Sequence, residues 1–241
     1  FSGVTPSFYS LRVAPQLIGL GLLEAVPEST ILALADPTDA NKDGISGRIH
    51  VVQDPENEFA LRLGRFTYKG AMATVRHQIA YAFNQDMSVT SDIFPILDGE
   101  TTPRPPEISA AELDRMSRYT ALLGVGARRN LTDPQVIRGQ QLFTTAGCVA
   151  CHTPSLTTGP YHPLAELRNQ TIRPYTDLLL HYMGPGLADN MDEEGATGSE
   201  WRTPPLWNIG LTAGVSGGEG YLHDGRAPTL EAAILWHGGE A

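Results

Sequence analysis

Apolar residues along this chain fall in short bursts separated by turn-forming residues, and only some of the bursts repeat with a helical period. In "SAAELDRMSRYTALLG" (109–124), Leu113, Met116 and Leu123 recur at helical spacing. Ser109, with Glu112 three residues later, has the signature of a capping box. In "DPQVIRGQQLFTTAG" (133–147), Asp133 suits the N-cap and Pro134 the first turn. Val136, Ile137 and Phe143 supply the apolar face of that helix. Shorter helices are expected near 27–35 and 73–85. Strand signals are few. The 25 glycines and 18 prolines imply long ordered connections between modest helices. The pattern predicts a mainly α fold with long loops. "DGETTPRPPEIS" (98–109) reads as a proline-rich linker.

A second pattern is an internal repeat. "FTYKGAMATVRHQIAYAF" (66–83) aligns with "YLHDGRAPTLEAAILWHG" (221–238), pairing Phe66 with Tyr221, Gly70 with Gly225 and Thr74 with Thr229. Val75 then falls opposite Leu230, and Ile79 opposite Ile234. Upstream of each copy, "RVAPQLIGLGL" (12–22) resembles "RTPPLWNIGLT" (202–212) with one gap. Two matches in the same order predict a tandem duplicated architecture.

Composition narrows the picture. With 41% apolar residues among 241, a sizeable core can form. No apolar run approaches the length of a membrane-spanning helix. The opening "FSGVTPSFYS" lacks the basic and apolar regions of a signal peptide, which is expected to have been removed or never present. A net charge of −10 argues against a nucleic-acid partner.

Both cysteines lie in "AGCVACHTP" (146–154), as Cys148-x-x-Cys151-His152. A redox dithiol of the thioredoxin type needs a strand before the motif, and a helix is predicted there instead. Tetrahedral zinc needs a second ligand pair, and the chain has no other cysteine. The third reading is c-type haem attachment, with two thioethers and His152 as proximal iron ligand. Candidates for the sixth ligand downstream are His162, His181, Met183, Met191, His223 and His237. His162 reads as a loop residue, Met191 as part of a solvated acidic loop, and His223 as a residue that could orient a turn. If each repeat is the tail of a haem domain, the first attachment motif precedes Phe1, so a missing N-terminal segment is expected. A closing helix after "WHGGEA" is expected as well. Separately, Asp39, Asn41, Asp43 and Gly44 reproduce the first half of a calcium loop, although His50 stands where a glutamate would complete it.

Four stretches then carry a resemblance: "RGQQLFTTAGCVACHTP", "RPYTDLLLHYMGPGLAD", "EWRTPPLWNIGLT" and "YLHDGRAPTLEAAILWHGGEA". They resemble bacterial di-haem oxidoreductases of the thiol-oxidoreductase-like group, relatives of di-haem cytochrome c peroxidases. "LRVAPQLIGLGLLEAVPESTILALADPTDANKDGISGR" is similar to that family too. The resemblance implies cytochrome c-like haem domains, one haem for electron transfer and one reactive, and export to the periplasm. A second haem c is expected in the full-length protein. It also implies a distal ligand in the last helix region, so His237 is favoured over its rival Met183. His237 falls opposite Ala82 in the first copy, which leaves an open iron face there. Gln78 and Asp86 resemble the distal glutamine and glutamate of the peroxidases, spaced two residues closer, and a carboxylate there could move a proton between peroxide oxygens. His77 is a rival base, expected to be surface-exposed unless it serves that role.

The expected organisation is a first-domain tail over 1–100, a proline-rich linker and helix over 101–130, and a haem domain over 131–241. Three functions follow: a di-haem peroxidase-type oxidoreductase using hydrogen peroxide and a redox partner protein or small electron donor, a single-haem electron carrier, or a binding module with structural cysteines.

Overall fold

Two single-turn helices open the described part of the chain, α1 (Leu20–Glu24) and α2 (Glu28–Leu32). The computed structural model describes residues 9–215, 217 and 220–241. A hairpin follows, with β1 (Val51–Asp54) antiparallel to β2 (Ala60–Leu63) and Val52 opposite Arg62. Helix α3 (Val75–Met87) starts where Thr74 Oγ1 accepts the His77 N–H at 2.9 Å. Helix α4 (Ala110–Ala121) carries the predicted capping box between Ser109 and Glu112. It packs on α3, where Leu113 meets Ala80 and Ile108. Helix α5 (Pro134–Thr145) begins at Asp133 with Pro134 in its first turn, as predicted. Strands β3 (Leu156–Thr157) and β4 (Thr171–Ile172) form a second pair, and β5 (Leu180–Tyr182) and β6 (Glu200–Arg202) a third. Two short helices close the order, α6 (Thr212–Val215) and α7 (Leu230–Leu235).

The mainly α, cytochrome c-like, tandemly duplicated architecture expected above does not hold. Helix accounts for only 29% of the described residues and strand pairing for 11%, and the rest is loop. The expected long loops are present, and they owe their order to buried polar groups rather than to periodic backbone pairing. One Arg65 nitrogen donates to the carbonyls of Leu23, Glu24 and Val26. His50 bridges the Lys69 and Glu194 carbonyls at 2.7 and 2.8 Å. Arg202 donates to Thr67 O and Thr203 O. Buried carbonyls outside helices and sheets need such donors.

The largest core cluster draws on both sides of the 101–130 segment. Leu23, Ile31, Phe66 and Val75 pack with Leu156, Leu167, Leu178 and Trp207. A bridge between Arg48 and Leu180 joins the same two stretches.

The sequence repeat does correspond to one recurring local unit. Phe66 pairs with Met72, and Tyr221 with Ala227. Thr67 and Leu222 take positive φ of 69° and 71°, and Gly70 and Gly225 follow at 70° and 75°. Thr74 caps α3, and Thr229 caps α7 by accepting the Ala232 N–H.

Candidate functional site

Helix α5 ends at Thr145, Gly147 turns the chain with φ 85°, and Cys148–Ala150 forms a 3-10 turn. That turn places both cysteines and His152 within one loop at the end of α5. The thiols are half-buried and not bonded to each other. The His152 Nδ1–H donates to the Tyr175 carbonyl at 2.8 Å. This bond fixes the tautomer and leaves Nε2 as the nitrogen for a metal. Burial pushes the His152 pKa down, the Tyr175 bond opposes it, and the nearby charge of His237 pushes it down further. A neutral imidazole is the form that ligates. Phe143 of α5 lies 6.1 Å from the His152 ring and 5.6 Å from Tyr175.

The apolar surface around the motif is uncovered. Helix α5 buries none of its side chains, and Leu142 is 53% exposed. On α7, Ile234 and Leu235 are 67% and 78% exposed. A pocket of about 200 Å³ lies along α5 between Val136, Phe143, Val149, Pro154 and Tyr175. Uncovered apolar faces beside paired thiols and an oriented imidazole fit a large flat apolar group such as haem.

The candidate ligands separate cleanly. His237 follows α7, is exposed, and donates Nδ1–H to Ala233 O at 2.8 Å, which frees Nε2. Met183 is half-buried, and its N–H is bonded to Ser199 O. His162 is engaged by Glu24 at 3.0 Å. Met191 is half-buried, not solvated as expected, with its N–H on Asp189. His223 is buried and stacks on Trp201 at 3.7 Å; burial pushes its pKa down to about 4.

His181 has another task. Its Nε2 donates to Asp177 at 2.8 Å and its Nδ1 to Glu240 at 2.7 Å, and Cys151 Sγ lies 3.5 Å from the same Nδ1. Burial opposes charging of His181, but the bonds to Asp177 and Cys151 overcome it and push the pKa up to about 11. Sequence reasoning placed His181 among the ligand candidates and missed Asp177 and Glu240. Asp177 and His181 lie four residues apart, but Cys151 and Glu240 come from distant segments, and no spacing announces their meeting. The cluster of Tyr68, Trp201 and His223, with the Lys69 ammonium 3.9 Å above the Trp201 ring, was also missed.

Gln78 and Asp86 are not brought together. Both lie on α3, eight residues apart, which is roughly 12 Å of helix rise. Gln78 Oε1 is buried without a partner, while Asp86 is exposed. His77 is buried against Phe94 rather than surface-exposed, and its Nδ1 also lacks a partner. Asp39, Asn41 and Asp43 organise their own loop. Asp39 accepts the Gly44 N–H, Asn41 accepts the Asp43 N–H, and Asp43 accepts from Ile45. Among the described residues, no group of three or more His, Cys, Asp or Glu side chains is arranged to hold a metal ion, and no helix is long and apolar enough to cross a membrane.

A family model described as "di-haem oxidoreductase, putative peroxidase" matches residues 8–103 and 96–241. Searches of curated proteins and of solved structures found no match. The two matched segments span nearly the whole sequence, the second contains the cysteine motif, and haem is the cofactor that the family description implies. The chain belongs to the di-haem oxidoreductase family.

Proposed function

We propose that this chain is part of a periplasmic peroxidase-type oxidoreductase that passes electrons through a haem bonded to Cys148 and Cys151. His152 is the proximal ligand and His237 the distal one. The observation that carries this is the pairing of two free thiols with a histidine whose Nδ1–H is already committed to Tyr175 O. Bound haem supplies a one-electron iron couple. Around it, Phe143 and the exposed side of α7 exclude water, and Tyr175 O keeps the His152 ring from rotating. Ligation by two imidazoles keeps the reduction potential low, whereas Met183 in place of His237 raises it. In the first repeat copy Ala82 stands where His237 stands in the second, which supports an open iron face for a second haem in the full-length protein. Gln78, with its unpartnered Oε1, is the polar group proposed to face hydrogen peroxide there. Asp86, two turns away and exposed, is a proton carrier only at the rim. The electrons come from a redox partner protein or a small donor.

Haem counting tests the reading. Full-length protein, produced in a host that attaches haem c, is assayed as its pyridine haemochrome and by intact mass after acid. Two covalent haems support the proposal, one supports a simple electron carrier, and none removes both. A Ca²⁺ ion at Asp39, Asn41 and Asp43 is a separate proposal, supported by oxygen side chains alternating before Gly44 (φ 90°). Its test is a lower thermal midpoint in the presence of a chelator.

A further inference from the structure

His237 sits on an exposed stretch, and two glycines follow it. Such a segment frays unless something ties it down. The tie is Glu240, whose side chain is 8% exposed. One carboxylate oxygen accepts the Ser46 N–H at 3.0 Å and the Ser46 hydroxyl at 2.6 Å. The other accepts from His181 Nδ1 at 2.7 Å and from the Tyr182 N–H at 3.3 Å. The Glu240 N–H also donates to Tyr182 O at 3.1 Å. His181 is held on its far side by Asp177 at 2.8 Å. Two carboxylates against one imidazolium leave an excess negative charge. The Ser46, Tyr182 and Leu179 N–H groups absorb it.

We infer that Glu240 is the positioning residue that presents His237 to the haem iron, anchored through His181 and Asp177. This rests on the reading of His237 as distal ligand. Three residues span at most about 10 Å, so a fixed Glu240 confines the His237 ring to a small volume. The anchor is also tied to the attachment motif, because the His181 imidazole touches Cys151 Sγ at 3.5 Å. One side chain therefore contacts both the motif that carries the haem and the strap that carries the ligand. Gly47 makes room for it, since a Cβ there would lie 2.7 Å from His181 Cε1.

The test compares holo-protein carrying His237→Ala, Glu240→Ala, Glu240→Gln or His181→Gln. The readouts are the ferric spin state by absorption and electron paramagnetic resonance, haem content, thermal midpoint, and an imidazole titration. His237→Ala gives high-spin iron. Glu240→Ala gives a roughly tenfold or greater rise in the high-spin population, the effect of losing a charge-assisted anchor. Glu240→Gln, which keeps the shape, falls between, and free imidazole restores low spin in each. If His237→Ala is high spin while Glu240→Ala, Glu240→Gln and His181→Gln keep the wild-type spectrum, the positioning role is overturned and the ligand stands, even if the thermal midpoint falls. If His237→Ala stays low spin, the ligand reading is overturned and the positioning role with it.

Discussion

Replacing Gly239 by alanine isolates the strap from the rest of the fold. Gly239 has φ 71°, and a Cβ there would lie 2.2 Å from Tyr182 O and 2.5 Å from Gly184 N. Two costs follow. The left-handed backbone costs about 1–2 kcal/mol for a residue with a Cβ. The overlap is with backbone on β5 and beyond, which cannot rotate away, so one side must move. Gly99 is the control, because its φ is 78° and a Cβ there meets nothing within 4 Å. Gly99→Ala therefore carries the backbone cost alone. With 1 kcal/mol worth roughly 2–4 °C in a chain of this size, it lowers the thermal midpoint by a few degrees. In Gly239→Ala, moving β5 would disturb Leu180, which pairs with Arg202 and bridges to Arg48. Lifting the strap loses the Glu240 bonds instead, at about 2–4 kcal/mol once screening at the surface is allowed for. The strap is the weaker side and gives way. The expected result is a fall in midpoint similar to that of Glu240→Ala, with high-spin iron in the holo-protein. Calorimetry and the ferric spectrum check it. Gly239→Ala that behaves as Gly99→Ala does, with low-spin iron, refutes the reasoning.

Three further substitutions probe the frame. Burial works to raise the Glu200 carboxyl, but the Arg48 guanidinium at 2.5 Å overcomes it and holds the pKa at about 2 against the usual 4.5. A depressed carboxyl contributes stability that is complete above pH 4.5 and is lost as pH falls from there towards 2. Glu200→Gln removes about 1–2 kcal/mol at neutral pH and flattens this acid limb in urea titrations, and a limb identical to wild type contradicts the ion pair. Ser109→Ala removes the side-chain half of the α4 capping box, in which the Ser109 hydroxyl accepts the Glu112 N–H, and costs about 1 kcal/mol, a loss that Asp or Asn at 109 largely restores. Lys69→Met strips donors from the Thr197 and Glu200 carbonyls and unpairs part of Asp189, so it costs about 3 kcal/mol or more by chemical denaturation; a cost below about 1 kcal/mol contradicts the buried-donor account.

The legible parts of the fold were those whose cause is local. Asp133 and Pro134, Ser109 and Glu112, and Thr74 each specify a helix start within four residues, and each helix begins there. Cys148, Cys151 and His152 could be picked out for the same reason, because they lie within five residues of one another in the loop after α5. The fold class was not, because the loops are ordered by residues such as Arg65, His50 and Arg202 that reach carbonyls far along the chain. Their types point to the surface: lysine and arginine are seldom buried, yet Lys69 is fully enclosed. His77 misled in the same way, as a histidine between arginine and glutamine that turned out to be buried against Phe94. The apolar face assigned to α5 stays uncovered, since Val136 and Phe143 line the pocket beside the motif and Ile137 is exposed, while none of the three joins the core.

The repeat shows why reading the backbone and reading the chemistry are separate tasks. At 66–74 and 221–229 the chain makes the same bridge, the same pair of left-handed residues and the same threonine cap. The side chains on that common frame have diverged. Lys69 donates to Thr197 O and Glu200 O from a buried position, whereas its counterpart Asp224 pairs with Arg226 near the surface. Tyr68 edges the Trp201 ring, and its counterpart His223 stacks flat on it. The two turns therefore meet on one tryptophan from opposite halves of the sequence, and the buried lysine of one copy lies over the same ring. Eight residues after each threonine cap, the first copy offers Ala82 and the second His237. A helix of six residues, α7, ends two residues before that histidine, while α3 runs on for thirteen and buries Ala80 against α4. The early end of α7 is thus what turns a helix position into a strap position. An imidazole placed there can be steered by Glu240, and a residue at position 82 in the middle of α3 cannot.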